Sequence, residues 1–220
     1  MKAKSSAAVR RTGVCVLALA LAAGITTGCT PLVVGGAIAS GAMVAGDRRS
    51  VGIQLEDEAI ERRVDRALVE RFGRDTININ VTSYNRKVLL VGEAPSAEAA
   101  KEIEAIADRA ENVRLVVNEI YIGKLSTTGN RLNDTALAAR VRAALIDARE
   151  VPAAAVKPTV ERGVAYLLGR VTETEGAAAA RAVSRVDGLV RVVKVFDYLT
   201  DDELRAMQSG TTPPASPRKP

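Results

Sequence analysis

The sequence predicts an α+β fold of two tandem domains, each running helix, strand, strand, helix, strand, with two helices covering a three-stranded sheet. Three observations carry that prediction. Residues 57 to 122 recur as residues 134 to 199 at a constant offset of 77, without insertion or deletion. Within each copy the apolar period switches between that of a helix and that of a strand. Glycines also stand at matching positions, Gly92 over Gly169. A repeat of this length reads as one folding unit used twice, and about 66 residues per copy is small but enough for an independent core.

The first helix is predicted over 56–72 and 134–148. Its two sequences, DEAIERRVDRALVE and DTALAARVRAALID, place Ile60, Val64, Ala67 and Leu68 over Leu137, Val141, Ala144 and Leu145, the stripe of an amphipathic helix. A hairpin follows over 77–92 and 155–170, turning at Asn85-Arg86 and at Arg162-Gly163, with Gly92 and Gly169 marking its exit. The second helix begins near Pro95 and near Thr172. Thr172 and Glu175 form a capping box, while in the first copy Pro95 takes the Thr position and Glu98 keeps its place. Ile103, Ile106 and Ala110 form the buried face of that helix in copy one. Closing strands over 113–122 and 190–199 complete each sheet.

The N-terminus reads as an export signal. Lys2, Lys4, Arg10 and Arg11 precede an apolar run over 14–25 that is too short to span a bilayer. The run ends in Ile25-Thr26-Thr27-Gly28-Cys29, which resembles the lipobox of bacterial lipoproteins, with Thr26 where that motif prefers Leu. The resemblance implies that Cys29 becomes the acylated mature N-terminus, an anchor of effectively permanent strength. Thr30, rather than Asp, after the cysteine implies sorting to the inner leaflet of the outer membrane, facing the periplasm. Cys15 leaves with the signal, so no disulfide is expected.

The domain plan is therefore a signal peptide over 1–28, a lipidated tether over 29–55, a first domain over 56–122, a connector over 123–132, a second domain over 133–199 and a disordered tail over 200–220 that begins as a short helical extension. The Ala-, Gly- and Val-rich stretch over 31–46 reads either as a flexible tether or as an interfacial segment. Removing the signal leaves 27 basic against 26 acidic residues, so the whole-chain charge of +5 misleads. Between the copies the charge is asymmetric, with 10 basic and 13 acidic groups over 57–122 against 10 and 8 over 133–199.

The chain has no His and no Trp, and its aromatic content is 3%. That removes histidine-based catalysis and metal clusters, and with no remaining thiol and no phosphate-cradling loop the sequence does not read as an enzyme. Its one Ser-x-x-Lys, Ser216 to Lys219, falls in the tail. Glu56, Asp57, Glu58 and Glu61 crowd a predicted helix N-terminus, where the dipole favours them. No metal, no nucleic-acid partner and no cofactor beyond the covalent lipid on Cys29 are expected.

The helix, the I/V-x-V-x-x-x-x-G-x-V-x-L-x-G hairpin, the second helix and the closing V-x-x-V strand together resemble the BON domain, here in tandem. Copy two supplies Val156, Gly163, Leu167 and Gly169, departing at Pro158 and Ala165. Copy one supplies Ile79, Val81, Val88, Leu90 and Gly92, with Arg86 in place of the hairpin glycine. Among outer-membrane lipoproteins with two such domains, the resemblance implies envelope maintenance at the division site. It also implies a second domain that binds anionic phospholipids such as phosphatidylglycerol and cardiolipin.

The residues of copy two offer a matching surface. Arg142 and Arg149 fall on one flank of its first helix, Arg140 on the other, and Ile146 points away from the core; Arg131 in the connector adds to the same side. Each such cation is worth roughly 1 kcal/mol near an anionic membrane. Without the resemblance, a solvated basic face with a stray Ile would be the plainer reading of the same residues; with it, the membrane reading is preferred. Ala136 stands where an inserting aromatic could be, so insertion would be shallow. The alternative function is a periplasmic adaptor, in which the acidic first copy or the sheet faces dock an envelope protein, such as outer-membrane assembly machinery or a regulator of cell-wall hydrolases. Tyr84 is its candidate contact.

Overall fold

The computed structural model describes residues 46–209; Cys29, the signal and residues 210–220 lie outside the described residues. The first domain runs α1 (Val51–Phe72), β1 (Asn78–Tyr84), β2 (Lys87–Ala94), α2 (Ala97–Asp108) and β3 (Leu115–Ile122). The second runs α3 (Thr128–Asp147), β4 (Val156–Glu161), β5 (Val164–Val171), α4 (Glu173–Val183) and β6 (Arg191–Tyr198), followed by α5 (Asp201–Gln208). Each sheet has its middle strand from the hairpin: β1 and β2 are antiparallel, β2 and β3 parallel, and the second domain repeats this with β4, β5 and β6. The α+β reading with two helices over each sheet holds.

Both first helices start earlier than expected. Ser50 caps α1 by accepting from Ile53 N–H, and Thr127 caps α3 by accepting from Asn130 N–H. Ser50 and Thr127 are themselves 77 apart, so the repeat extends further toward the N-terminus than its similarity suggested, keeping Gly52 over Gly129 and Leu55 over Leu132. Helix thus replaces residues 51–55 of the expected tether and 128–132 of the expected connector. In the tail, Thr200 and Glu203 form a capping box that starts α5, so the expected short helical extension runs over residues 201–208.

The earlier start also changes what Asp57 does. It lies in the second turn of α1 rather than among carboxylates at a helix end, and its buried carboxylate accepts from the backbone N–H of Asn85 (2.8 Å) and Arg86 (2.7 Å), from Ser83 Oγ and from Arg49. Its repeat partner Asp134 accepts from Arg162 N–H and Gly163 N–H, both at 2.9 Å. In each hairpin the two central turn residues have positive φ (53° and 62°, 52° and 71°), the signature of a type I′ turn. Three of these four are not glycine, so the aspartate holds a backbone conformation that side chains disfavour.

Gly92 and Gly169 sit inside β2 and β5, not at the hairpin exits. A Cβ on Gly92 would lie 1.9 Å from Asn78 O, and one on Gly169 2.3 Å from Ala155 O. Glycine is required because a neighbouring strand's carbonyl occupies the space, and the hairpins run on to Ala94 and Val171. The second helix of copy one is capped by Ser96, one residue past the expected Pro95, with Ser96 Oγ accepting from Ala99 N–H. Its buried residues are Ala100, Ile103 and Ala107, with Ile106 and Ala110 at the edge of the core.

The faces of the sheets that the helices leave open pack against each other. In β2, Val88 and Leu90 join the core beneath α1 and α2, while Leu89 and Val91 meet Tyr166, Leu168 and Val195 of the second domain. Thr82 Oγ1 and Thr159 Oγ1 lie 3.1 Å apart across this contact. They are equivalent repeat positions, so a local twofold axis relates the domains there. A polar rim surrounds the apolar centre: buried Lys87 reaches Asp197 (2.7 Å) and the carbonyls of Val195 and Phe196, and Arg162 reaches Glu93 (3.1 Å). Arg114 and Arg191, again repeat partners, cross to Asp197 and Glu119.

This packing removes the sheet faces from the surfaces that could dock an adaptor's partner. Tyr84, the expected partner contact, is 2% exposed; its hydroxyl faces Ala155 O and Asp47, and Arg49 stacks 4.1 Å from its ring centroid. Burial first, then the Asp47 charge, pushes its phenol up to about 12.

Candidate functional site: the outward face of the helix Thr128–Asp147

The inward face of α3 is built from Asp134, Leu137, Val141 and Leu145, all buried. With 100° between successive residues, the opposite side carries Leu132, Ala136, Ala139, Ala143 and Ile146. All five are exposed, Leu132 at 66% and Ile146 at 71%. The helix therefore has two apolar stripes, one for the core and one turned to solvent. Sequence reasoning placed Ile146 and Ala136 on this side but did not join them into a stripe. Leu132 had been left in the connector, so the alanines between had no second end to align with.

The five residues singled out from the sequence are all exposed, but they go to four places. Arg131 and Arg142 stand on the flank of α3 that faces a groove of about 1050 Å³ bounded by the edge strands β1 and β4. Arg140 lies on the other flank and donates to Asp187 O at 3.0 Å. Ile146 is on the outward stripe at the groove's rim. Arg149 is not on the helix: α3 ends at Asp147, and its C-cap Ala148 turns to an extended backbone (ψ 95°). Arg149 instead converges with Arg181 of α4 and with Arg185, two residues past the end of α4, around a shallow depression of about 350 Å³. Those two arginines extend the cationic surface beyond the end of α3 and were not among the residues expected from sequence.

The carboxylates near the groove are unequal. Glu93 is fully buried, and although burial alone would raise it, hydrogen bonds from Ser126, Asn78 and Arg162 hold it below the usual carboxylate range. Arg162 also lies 3.9 Å from the Tyr121 ring centroid. Glu161 makes no hydrogen bond or ion pair with a described residue; burial, with repulsion from Glu93 and Asp134, pushes it up to about 7. Lys157 is engaged by Glu61 at 2.7 Å, and Arg49 by Asp47 and Asp57.

No helix among the described residues is long and apolar enough to cross a membrane, and no group of His, Cys, Asp and Glu among them could hold a metal. What α3 offers is an apolar stripe two residues wide in places, bordered by arginines, on a helix whose other face is fixed in a core.

Comparison with known proteins agrees with the architecture. A model of the BON domain matches residues 56–124 and again residues 133–200. The chain is 35% identical over 177 residues to an outer membrane lipoprotein, DolP, of Haemophilus influenzae, covering 78% of this chain and 89% of that protein. It is 34% identical to a 21 kDa hemolysin of Actinobacillus pleuropneumoniae, over 70% of this chain and 79% of that one. It is 28% identical to the osmotically inducible protein Y of Escherichia coli, over 70% of this chain and 78% of that one.

Proposed function

This chain belongs to the BON-domain family, with two copies of the domain, and we propose that it is a non-enzymatic outer-membrane lipoprotein that supports envelope integrity. Acyl chains on Cys29 anchor it in the inner leaflet, facing the periplasm. Its second domain binds anionic phospholipids, phosphatidylglycerol or cardiolipin, and gathers the protein at the division site. The observation that carries this reading is the exposed stripe Leu132, Ala136, Ala139, Ala143 and Ile146 with Arg131, Arg142 and Arg140 beside it.

The energetics suit an accessory contact. Burying a Leu or Ile side chain contributes roughly 1.5–3 kcal/mol, and each arginine near an anionic surface about 1 kcal/mol. Two apolar side chains and three or four arginines therefore make a reversible contact whose electrostatic part weakens with salt. The covalent lipid holds the chain at the membrane; the helix face orients the domain on it and selects the head group's charge. The mixed basic and apolar character of the stripe fits an interfacial helix lying in the head-group plane.

The adaptor reading keeps the exposed helix surface of the acidic first copy, after the sheet faces and Tyr84 are accounted for by the domain contact. Sedimentation of the unacylated chain with phosphatidylglycerol vesicles tests the lipid reading. Binding at low salt that is lost in Arg142→Glu with Arg149→Glu is expected, and a chain that ignores such vesicles sinks it. Metabolic labelling with palmitate, abolished by Cys29→Ala, tests the anchor independently.

A further inference from the structure

The groove bounded by β1, β4 and α3 has walls of two kinds. One is apolar, from the half-buried Ile79 and Val81 of β1, Pro158 of β4 and Ala138 of α3. The rim on the α3 side is cationic. Of the four cations lining the groove, Lys157 is held by Glu61, Arg49 by Asp47 and Asp57, and Arg131 stands near the unpaired Glu161 carboxylate. Arg142 makes no ion pair with a described residue, and it lies one turn from Ile146 on the outward stripe.

We propose that this groove takes one acyl chain of an anionic phospholipid from the bilayer beneath α3, with the phosphate at Arg142 and the chain along the apolar wall. The inference rests on the reading of α3 as the membrane-facing helix and goes beyond it: the lipid is gripped singly, not only touched as a surface. The volume of about 1050 Å³ is at the upper end of pockets that enclose small molecules, roughly 300–1,000 Å³. An amphipathic groove opening beside a membrane-facing helix matches a molecule with one charged end and one apolar end.

An extended peptide added to the strand edge is the competing occupant, and β4 suits it poorly. Pro158 lies within that edge strand, pairing with Leu167 on its other side. It has no N–H to offer an added strand. A lipid chain needs no such donor.

The test uses the full chain carrying Cys29→Ala and dihexanoyl-phosphatidylglycerol below its micelle concentration, followed by amide chemical shifts. The expected result is saturable shifts at residues 79–82 and 156–160, weakened at least about tenfold by Asn80→Trp, which fills the groove from an exposed position. Sedimentation of the same variant with phosphatidylglycerol vesicles should change by no more than about twofold. Shifts confined to the outward face of α3, or shifts indifferent to Asn80→Trp, overturn the groove while leaving the surface reading intact. Equal shifts with sn-glycerol 3-phosphate would make it a phosphate site rather than a lipid groove, and displacement of the lipid by a short extended peptide would assign it to strand addition; either overturns the proposal. Vesicles that fail to bind the parent chain while the groove shifts persist would overturn the surface reading and not this one.

Discussion

The helices α1 and α3 begin from equivalent caps, bury equivalent residues and hold equivalent hairpin turns, yet their outer faces share only one leucine and one alanine. Leu55, Ala59, Arg62, Arg66 and Val69 on α1 correspond to Leu132, Ala136, Ala139, Ala143 and Ile146 on α3. Two arginines interrupt the first series, and Arg62 pairs with Glu58 one turn away, so α1 presents an ordinary solvated face. Alanines leave the second series continuous. Packing fixes what points inward, and only the outward positions were free to acquire a second use.

The inward equivalence can be broken unequally. Asp57→Ala strips partners from two turn amides, Ser83 and Arg49, whereas Asp134→Ala strips only two amides. Urea unfolding should show a loss of about 3–5 kcal/mol for the first and about 1–3 kcal/mol for the second; equal losses would mean the extra partners contribute nothing. Gly92→Ala should cost about 2–4 kcal/mol and Gly169→Ala about 1–3 kcal/mol. Both meet a backbone carbonyl, but only Gly92 also has a left-handed φ, of 121°. The reverse order in thermal melts would refute the role given to φ.

A smaller effect separates Tyr84 from its repeat partner Glu161. Because the folded state raises the Glu161 carboxyl to about 7 from 4.5, the folded chain binds more protons than the unfolded one between those values. Stability from this group therefore falls as pH rises from about 4.5 to 7. Glu161→Gln should flatten that part of the stability–pH curve, measured by urea midpoints at stepped pH. An unchanged slope would show that the carboxyl is better solvated than its surroundings indicate.

Much of this was legible in the sequence because the repeat reports its own constraints. The turn pairs Asn85-Arg86 and Arg162-Gly163 and the apolar stripe of each first helix all appear where the pattern put them. The domain contact was partly visible too. The run Lys87–Ala94 is buried throughout, and KVLLVGEA does not alternate as a one-sided strand would. What hid the contact was its composition, since buried Lys87, Thr82 and Thr159 read as surface residues until their partners are in place. The helix starts were missed for a similar reason: residues 51–56 and 128–133 share only Gly and Leu, so similarity faded before the structural repeat did. Arg149, one residue past the predicted helix end at 148, falls on the flank of α3 only if the helical period is continued, and the extended backbone at Ala148 breaks that continuation.

The most direct test compares the two helices in one assay. Sedimentation with phosphatidylglycerol vesicles at low salt should be reduced at least about tenfold by Leu132→Asp with Ile146→Asp. It should be unaffected by the matching pair Leu55→Asp with Val69→Asp, provided each variant keeps the parent's circular dichroism. Equal loss from both pairs, or from neither, would contradict the assignment of membrane binding to the outward face of α3.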